Sequence, residues 1–184
     1  MNRFVLALVL CGLVTSAVPA AAQDTPMPSN TYNDPAMSFT APAGYKGSTR
    51  PYDPDNIAQA AVVATFVKNS GKPDMRVIQI QMEQFQGSLP GFTVLSENEL
   101  RGQLDGVFVT KKQQSALSNG MPAMWEEITV GDGFQEMKRW EYLWVDGFRG
   151  VDLSITGRYG ELTEAQAKQD LASASGVRFP LNRY

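Results

Sequence analysis

Residues 134–156, FQEMKRWEYLWVDGFRGVDLSIT, contain the pattern that decides the fold. Two runs in which apolar and polar residues alternate, residues 134–145 and 148–156, flank the dipeptide Asp146-Gly147. Alternation with a period of two predicts strands with one buried face, and Asp-Gly between two such runs predicts a tight turn. We therefore expect a long antiparallel hairpin in this part of the chain.

Other segments show the same alternation. In residues 75–85, MRVIQIQMEQF, the apolar side chains Ile78, Ile80 and Met82 alternate with polar ones, which predicts the clearest strand of the chain. Residues 46–58 contain one glycine and two prolines and predict a loop. Further strands are predicted at residues 36–41, 60–68, 112–118 and 122–130.

Two capping-box patterns predict helices. Ser96 and Glu99 form the first pattern, and Thr163 and Gln166 form the second, because each pair can satisfy free backbone N–H groups at a helix start. Gly176 is expected to cap the C-terminal end of the second helix. The helices are predicted at residues 96–106 and 164–173.

The order of these elements defines the expected fold class. A strand and a hairpin are followed by a helix, an antiparallel meander and a C-terminal helix, so strands and helices do not alternate regularly. We expect an α+β protein with a mostly antiparallel sheet and helices packed on it. The polar residues 23–34 predict a flexible leader, and residues 35–184 predict a single domain.

The first 22 residues have the features of a secretory signal peptide. Arg3 gives a positive start, residues 4–14 form an apolar run, and Ala20 and Ala22 form a cleavage site before Gln23. The apolar run is too short to cross a bilayer, which needs about 20 residues. We therefore expect cleavage after Ala22 and a periplasmic or secreted protein without a membrane span.

The composition excludes most catalytic and metal chemistries. The 184 residues include no histidine and one cysteine, Cys11, which lies in the predicted signal peptide. A Ser-His-Asp triad, His-ligated zinc or haem and an iron–sulfur cluster all require residues that the mature chain would lack. The 16 Lys and Arg against 19 Asp and Glu argue against nucleic-acid binding through a basic face. We expect no catalytic residue, no cofactor and no metal site.

Carboxylates remain as possible catalytic groups. Glu126 and Glu127 are adjacent on a predicted strand, so they point to opposite faces and cannot form an acid/base pair by themselves. Glu136 and Glu141 lie close to Lys138 and Arg139, which predicts cross-strand charge pairing on a solvated surface. A two-carboxylate glycosidase site is the alternative.

Two short segments are candidates for ion binding. Asp53 and Asp55 offer oxygen atoms that suit Ca²⁺, but their segment lacks the glycine and glutamate of an EF-hand loop, so we expect a plain turn. Lys111 and Lys112 form a basic pair, for which we expect a solvated patch; an anionic partner is the alternative.

An aromatic stripe is the candidate ligand or partner surface. Trp140, Tyr142 and Trp144 alternate along one predicted strand, so they share a face of the sheet. Small and apolar side chains form a matching stripe on the C-terminal helix, and close packing favours small residues opposite bulky ones. We expect this helix to cover at least part of the aromatic face; exposure of the stripe would make it a binding surface. The helix stripe consists of Ala167, Leu171 and Ala174.

Three segments together resemble the PsbP-like superfamily, which also includes a Ran-binding nuclear-import factor and the DcrB-like secreted proteins of bacteria. They are residues 37–45 (MSFTAPAGY), residues 119–123 (NGMPA) at the start of a strand, and the hairpin of residues 134–156 that leads to a C-terminal helix and Val177-Arg178-Phe179. The resemblance covers about residues 35–180 and implies an α/β/α sandwich around an antiparallel sheet. It supplies no site residue.

The resemblance implies a non-enzymatic accessory or binding protein. With the signal peptide and the missing catalytic residues, it predicts a secreted or periplasmic protein whose partner is another protein. A carrier of an apolar small molecule or lipid is the alternative, suggested by the aromatic content, and predicts a closed apolar cavity. A hydrolase that uses carboxylates alone is the third possibility.

Overall fold

The computed structural model describes residues 27–35, 37–53, 61–131 and 136–176. The predicted signal peptide with its cleavage site, Asp55 of the Asp-Pro-Asp-Asn segment and the closing Val177-Arg178-Phe179 lie outside the described residues.

The described residues form strands and two helices, in an α+β arrangement that confirms the predicted fold class. The helices are α1 (Leu89–Gln103) and α2 (Glu164–Asp170). The strands are β1 (Met27–Ser29), β2 (Thr31–Asp34), β3 (Met37–Thr40), β4 (Lys46–Thr49), β5 (Ala61–Lys68), β6 (Arg76–Gln84), β7 (Val107–Ala116), β8 (Pro122–Val130), β9 (Met137–Val145), β10 (Arg149–Arg158) and β11 (Ser175–Gly176).

Eight of these strands form one antiparallel sheet. Its order is β1-β4-β5-β6-β10-β9-β8-β7, and a smaller sheet has the order β11-β3-β2. The predicted hairpin is confirmed as β9 and β10, in which Trp144 is opposite Val151 and Trp140 is opposite Ile155. Gly147 takes a φ of 116° in the turn between them, a conformation that glycine adopts without strain.

One face of the large sheet is the apolar core face. It carries Phe66, Ile78, Ile80, Leu153 and the aromatic stripe, and the buried members belong to one hydrophobic cluster. Residues that are directly opposite each other on paired strands share a face, so this assignment follows from the strand register. The small sheet adds Tyr32, Met37 and Phe39 to the same cluster.

Helix α2 closes this core face. Thr163 and Gln166 form the predicted capping box, which the structure confirms. Ala167 of α2, and Leu171 and Ala174, which follow its last residue Asp170, are each at most 1% exposed and belong to the same cluster as Trp140 and Trp144, although the predicted end of the helix at residue 173 is three residues too late. The prediction that the C-terminal helix covers part of the aromatic face is therefore confirmed.

Helix α1 lies on the opposite face of the sheet, against β8 and β9. Its predicted start at Ser96 is wrong. The N-cap is Ser88, whose side chain accepts a hydrogen bond from the Gly91 N–H at 3.3 Å, and Pro90 follows in the first turn, where its missing N–H has no cost. Ser96 lies within the helix, which ends at Gln103.

Two predicted irregular segments contain strands. Residues 27–34 were expected in the flexible leader, yet β1 pairs with β4, and β2 pairs with β3. Tyr32 accounts for the order of β2, because it is 3% exposed and packs in the core. The predicted loop of residues 46–58 contains β4, in which Gly47 is opposite Phe66 and has no room for a β-carbon.

Gly176 does not cap α2. The helix ends at Asp170 with Leu171 as its C-cap, and Gly176 pairs with Met37 in the small sheet. A β-carbon on Gly176 would lie 2.6 Å from the Met121 sulfur, so a larger residue would fit here only if the Met121 side chain shifted. Neither helix in the described part of the chain has the length and apolar character needed to cross a lipid bilayer.

Candidate functional site

An open cleft of about 790 Å³ lies at one end of the core face. The end of β6 and the start of β10 form one side of it, because Gln84 and Arg149 are opposite each other on these paired strands. The end of β2 and the segment after β4 form the other side. We call it the Arg149 cleft; its described lining residues are Asp34, Pro35, Tyr52, Gln84, Phe85, Gln86, Asp146, Phe148 and Arg149.

Two carboxylates hold Arg149 in place. Arg149 Nη2 lies 2.9 Å from Asp34 Oδ1, Nη1 donates to Asp34 Oδ2 at 3.1 Å, and Nε donates to Asp146 Oδ2 at 2.7 Å. Burial lowers the pKa of Arg149, but its hydrogen bonds to Asp34 and Asp146 outweigh this effect and raise it. The guanidinium is therefore a fixed part of the cleft wall.

The turn between β9 and β10 fixes the position of Asp146. Its Oδ1 accepts hydrogen bonds from the N–H groups of Phe148 and Arg149, each at 2.8 Å. This is the local bonding that makes aspartate frequent in turns. The Asp146-Gly147 dipeptide therefore shapes the hairpin and also presents the carboxylate to Arg149.

Aromatic side chains form the rest of the cleft. Tyr52 stacks over Arg149, with the guanidinium carbon 4.9 Å from the ring centre. The Tyr52 hydroxyl is buried and has no hydrogen-bond partner, and burial is the main cause of its raised pKa. Phe148 is 46% exposed at the rim, and Phe85 packs against Phe92 of α1 with ring centres 5.3 Å apart. The cleft is thus mainly apolar and contains one unsatisfied donor.

A second unusual region lies between α1 and the sheet. On this face, Lys112, Glu126, Arg139, Glu141 and Asp152 lie on neighbouring strands, and Glu97 reaches them from α1. We call this set the charged layer. Glu126 is 0% exposed and Glu141 is 1% exposed, so the expected solvated surface is wrong for Glu141. Helix α1 shields these charges from water.

Glu126 is the least satisfied member of the charged layer. It is directly opposite Glu141 on β9. Lys112 Nζ lies 3.2 Å from its Oε1, but neither carboxylate oxygen accepts a hydrogen bond of acceptable geometry. Burial, followed by the charge of Glu141, raises the pKa of Glu126 to about 7. The site therefore favours a neutral carboxylic acid.

Arg139 pairs with the other two sheet carboxylates of the charged layer. Its Nε donates to Glu141 and its Nη2 donates to Asp152. Burial lowers the pKa of Arg139, but the charges of Asp152 and Glu141 outweigh it and raise the pKa, so the guanidinium stays charged. Asp152 Oδ1 has no hydrogen-bond partner.

Glu83 of β6 meets a second carboxylate from α1. It is 9% exposed, and burial, followed by the charge of Glu99, raises its pKa to about 7. Burial also raises the pKa of Glu99. Glu83 and Glu99 therefore form a like-charged pair across the helix–sheet interface, as Glu126 and Glu97 do on either side of Lys112.

The aromatic stripe lies in the core. Trp140 is 4% exposed, Trp144 is 0% exposed, and Tyr142 is partly buried against the same cluster. Trp125 stacks on Trp140 with ring centres 5.6 Å apart. A ligand or partner would reach the tryptophans only after α2 and the small sheet moved away. Binding at these residues is untested and remains a prediction.

The basic pair does not form a common patch. Lys111 Nζ lies 2.9 Å from Glu164 on the α2 side, whereas Lys112 contacts Glu97 and Glu126 on the α1 side. Both lysines are therefore neutralised within the protein. Asp53 ends a described segment, and no group of three or more His, Cys, Asp or Glu side chains within the described residues is arranged to hold a metal ion.

Sequence reasoning did not find the Arg149 cleft. Asp34 falls in the predicted leader and Tyr52 in the predicted loop, so no sequence pattern connects either residue with Arg149. The available signal was the Asp146-Gly147 turn, which places Arg149 three residues after an aspartate with side-chain acceptors. That signal predicts the contact with Asp146 but not the one with Asp34, which is distant in sequence.

The comparisons with known proteins show similarity in fold only. The chain matches no protein-family model, and no curated protein matches it in sequence. LpqN of Mycobacterium tuberculosis, described as involved in cell envelope biogenesis, has a similar structure, with a TM-score of 0.52 and 14% identity over 82% of this chain and 90% of LpqN. A Bacteroides thetaiotaomicron protein has a TM-score of 0.50 and 10% identity over 86% of this chain.

The chain spans 52% of that Bacteroides protein, about half of its length. The fold is therefore similar to that of LpqN. Neither of these two similar proteins is described as PsbP-like, so the PsbP-like sandwich remains a prediction.

Proposed function

We propose that the protein is an exported, non-enzymatic accessory protein of the bacterial cell envelope that binds a ligand or partner group in the Arg149 cleft. The observation that carries this proposal is the cleft itself, whose lining includes the aromatic residues Tyr52, Phe85 and Phe148, and in which the Tyr52 hydroxyl is buried without a hydrogen-bond partner. The fold shared with LpqN, the predicted signal peptide and the PsbP-like resemblance support an envelope role.

The chemistry of the cleft favours an uncharged, mainly apolar group with one hydrogen-bond acceptor. Asp34 and Asp146 contact Nε and both Nη atoms of Arg149, so two carboxylates already neutralise the guanidinium charge. Two carboxylates against one guanidinium give the described lining a net negative charge, which repels anions. Aromatic rings contact the apolar part of the ligand, and an acceptor would satisfy the Tyr52 hydroxyl.

The geometry gives less support to the alternatives. A carrier would enclose an apolar small molecule or lipid in a closed cavity, whereas the Arg149 cleft is open and Phe148 is 46% exposed at its rim. A hydrolase would need two accessible carboxylates. Glu126 and Glu141 are buried beneath α1, and Asp34 and Asp146 are engaged by Arg149.

Fluorescence titration with a neutral naphthalene ketone, 6-propionyl-2-dimethylaminonaphthalene, tests the proposed ligand class. We expect saturable binding that weakens about five- to tenfold in Tyr52→Phe, because that variant keeps the ring and loses one hydrogen bond. Tyr159→Phe, at a tyrosine that is 53% exposed and does not line the cleft, is the matched control and should bind like the parent. Equal binding by Tyr52→Phe, or tighter binding of the anionic 8-anilinonaphthalene-1-sulfonate, would contradict the assignment.

Capture from envelope extract tests the accessory role. Phe148→Ala should lose the bound molecule, whereas Phe108→Ala, an exposed phenylalanine on β7, should retain it. Mass spectrometry of the released molecule should find it chemically unchanged. Conversion of the molecule during incubation with the protein would overturn the non-enzymatic assignment. Equal loss of the molecule in both variants would show that it does not bind in the Arg149 cleft.

A further inference from the structure

The interface between α1 and the sheet places more negative than positive charges beneath the helix. From α1, Glu97, Glu99 and Arg101 lie near the interface. Together with the charged side chains of the sheet, they give this interface six carboxylates and three cations. Burying such an excess of negative charge is unfavourable, because water no longer stabilises it. The charged side chains that the sheet contributes are Glu83, Lys112, Glu126, Arg139, Glu141 and Asp152.

The cations cannot neutralise this interface by themselves. Arg139 is shared between Glu141 and Asp152, and Lys112 is shared between Glu97 and Glu126. Arg101 pairs with Glu97 at 3.2 Å, on the side of α1 where it is 45% exposed. Glu83 and Glu126 are left as the two buried carboxylates of the sheet whose charge has no dedicated cation.

Both of these carboxylates lie against α1. Glu126 is 0% exposed, and Lys112, whose Nζ lies 3.2 Å from its Oε1, is shared with Glu97 of α1. Glu83 is 9% exposed and is repelled by Glu99 of α1. Ionisation of either carboxylate therefore adds repulsion at the surface where the helix docks.

We propose that α1 is a proton-operated element, which lies firmly on the sheet while Glu83 and Glu126 are protonated and loosens when they ionise. Both groups have pKa values raised from 4.5 to about 7, mainly by burial, which supports the proposal made from the geometry. The folded state then binds more protons than the unfolded state between these two values. This contribution to stability is present below pH 4.5 and is lost as the pH rises through about 7.

Hydrogen exchange of the full mature chain, measured by mass spectrometry at pH 5.5 and pH 8.5, tests the proposal. After correction for intrinsic exchange, we expect the protection of α1 amides to fall at least about tenfold at the higher pH. Amides of β9 and β10 should keep their protection, because their core face contains no such carboxylates.

Variants identify the groups responsible. The double variant Glu83→Gln and Glu126→Gln mimics the protonated state and should keep α1 protected at both pH values. Glu127→Gln is the matched control: it carries the same substitution at the neighbouring position, on the opposite face, where Glu127 pairs with Lys138. It should lose α1 protection as the parent does.

Carbon NMR of the glutamate carboxyl groups measures the same property without a substitution. The signals of Glu83 and Glu126 should titrate near neutral pH and not near 4.5. Protection of α1 that does not change with pH, loss of protection in all strands together, or the same pH response in the double variant would each overturn the proposal.

Discussion

On one face of the large sheet, Trp144, Leu153 and Ile78 are fully buried among apolar neighbours; on the other face, Glu126 and Glu141 are equally buried among charges. The same strands build both faces, because successive side chains of a strand point to opposite sides. The first face is held by close packing. The second face combines buried apolar side chains, among them Leu143 of β9 and Phe92 of α1, with shared ion pairs, and it retains unsatisfied carboxylate oxygens.

This difference shows that the burial of a sheet face does not by itself measure how strongly the elements packed on that face are stabilised. Apolar packing has no dependence on protonation, whereas a buried carboxylate is stable only if it is paired or neutral. The contribution of the core face to stability should therefore not depend on pH, whereas that of the charged layer should. Phe92 connects α1 to the Arg149 cleft, because it packs against Phe85 of that cleft.

The largest expected effect compares two leucines that are both 0% exposed. Leu153 faces the core, and Leu143 faces α1. We expect Leu153→Ala to lower the free energy of unfolding by about 4–5 kcal/mol, because the close-packed core cannot collapse into the cavity. Leu143→Ala should cost about 2–3 kcal/mol, because α1 can shift toward it. Urea unfolding measures both, and equal losses would show that α1 packs as rigidly as the core.

A smaller effect is expected at Gly150. A β-carbon there would lie 2.0 Å from the ring of Phe92, so Gly150→Ala should push α1 from the sheet and cost roughly 1–3 kcal/mol. Gly102→Ala is the control within α1, where a β-carbon would meet nothing within 4 Å. It should stabilise the protein by up to about 1 kcal/mol through helix propensity. Thermal unfolding separates the two, and a neutral Gly150→Ala would mean that Phe92 is free to move.

The sequence predicted what depends on local pattern. The β9–β10 hairpin was found from alternation and the Asp146-Gly147 turn, and the α2 capping box was found from residues three apart. The burial of Trp140 and Trp144 was expected from the small residues of α2. Each of these inferences needs only neighbours in sequence or complementary volumes.

What the sequence missed depends on pairing between distant segments. Glu126 and Glu141 are opposite each other through the pairing register of β8 and β9, which the charge pattern alone does not reveal, so a pattern that indicated a solvated surface became a buried layer. Asp34 and Arg149 are 115 positions apart, and no local pattern connects them. The start of α1 was misplaced because Ser96 and Glu99 satisfy a capping pattern that a longer helix, begun at Ser88, leaves unused.

The smallest expected effect tests that corrected start. Ser88 caps α1, so Ser88→Ala should remove the hydrogen bond to the Gly91 N–H and cost about 1 kcal/mol of unfolding free energy. Ser96→Ala is the matched control: Ser96 lies inside the helix, where alanine has the higher helix propensity, so the change should be within about 0.5 kcal/mol of zero. Urea unfolding of both variants at pH 5.5, where α1 is expected to lie firmly on the sheet, gives the clearest reading. A larger loss of unfolding free energy in Ser96→Ala than in Ser88→Ala would support the helix start predicted from the sequence. Residues 89–95 would then not belong to the helix that covers the charged layer.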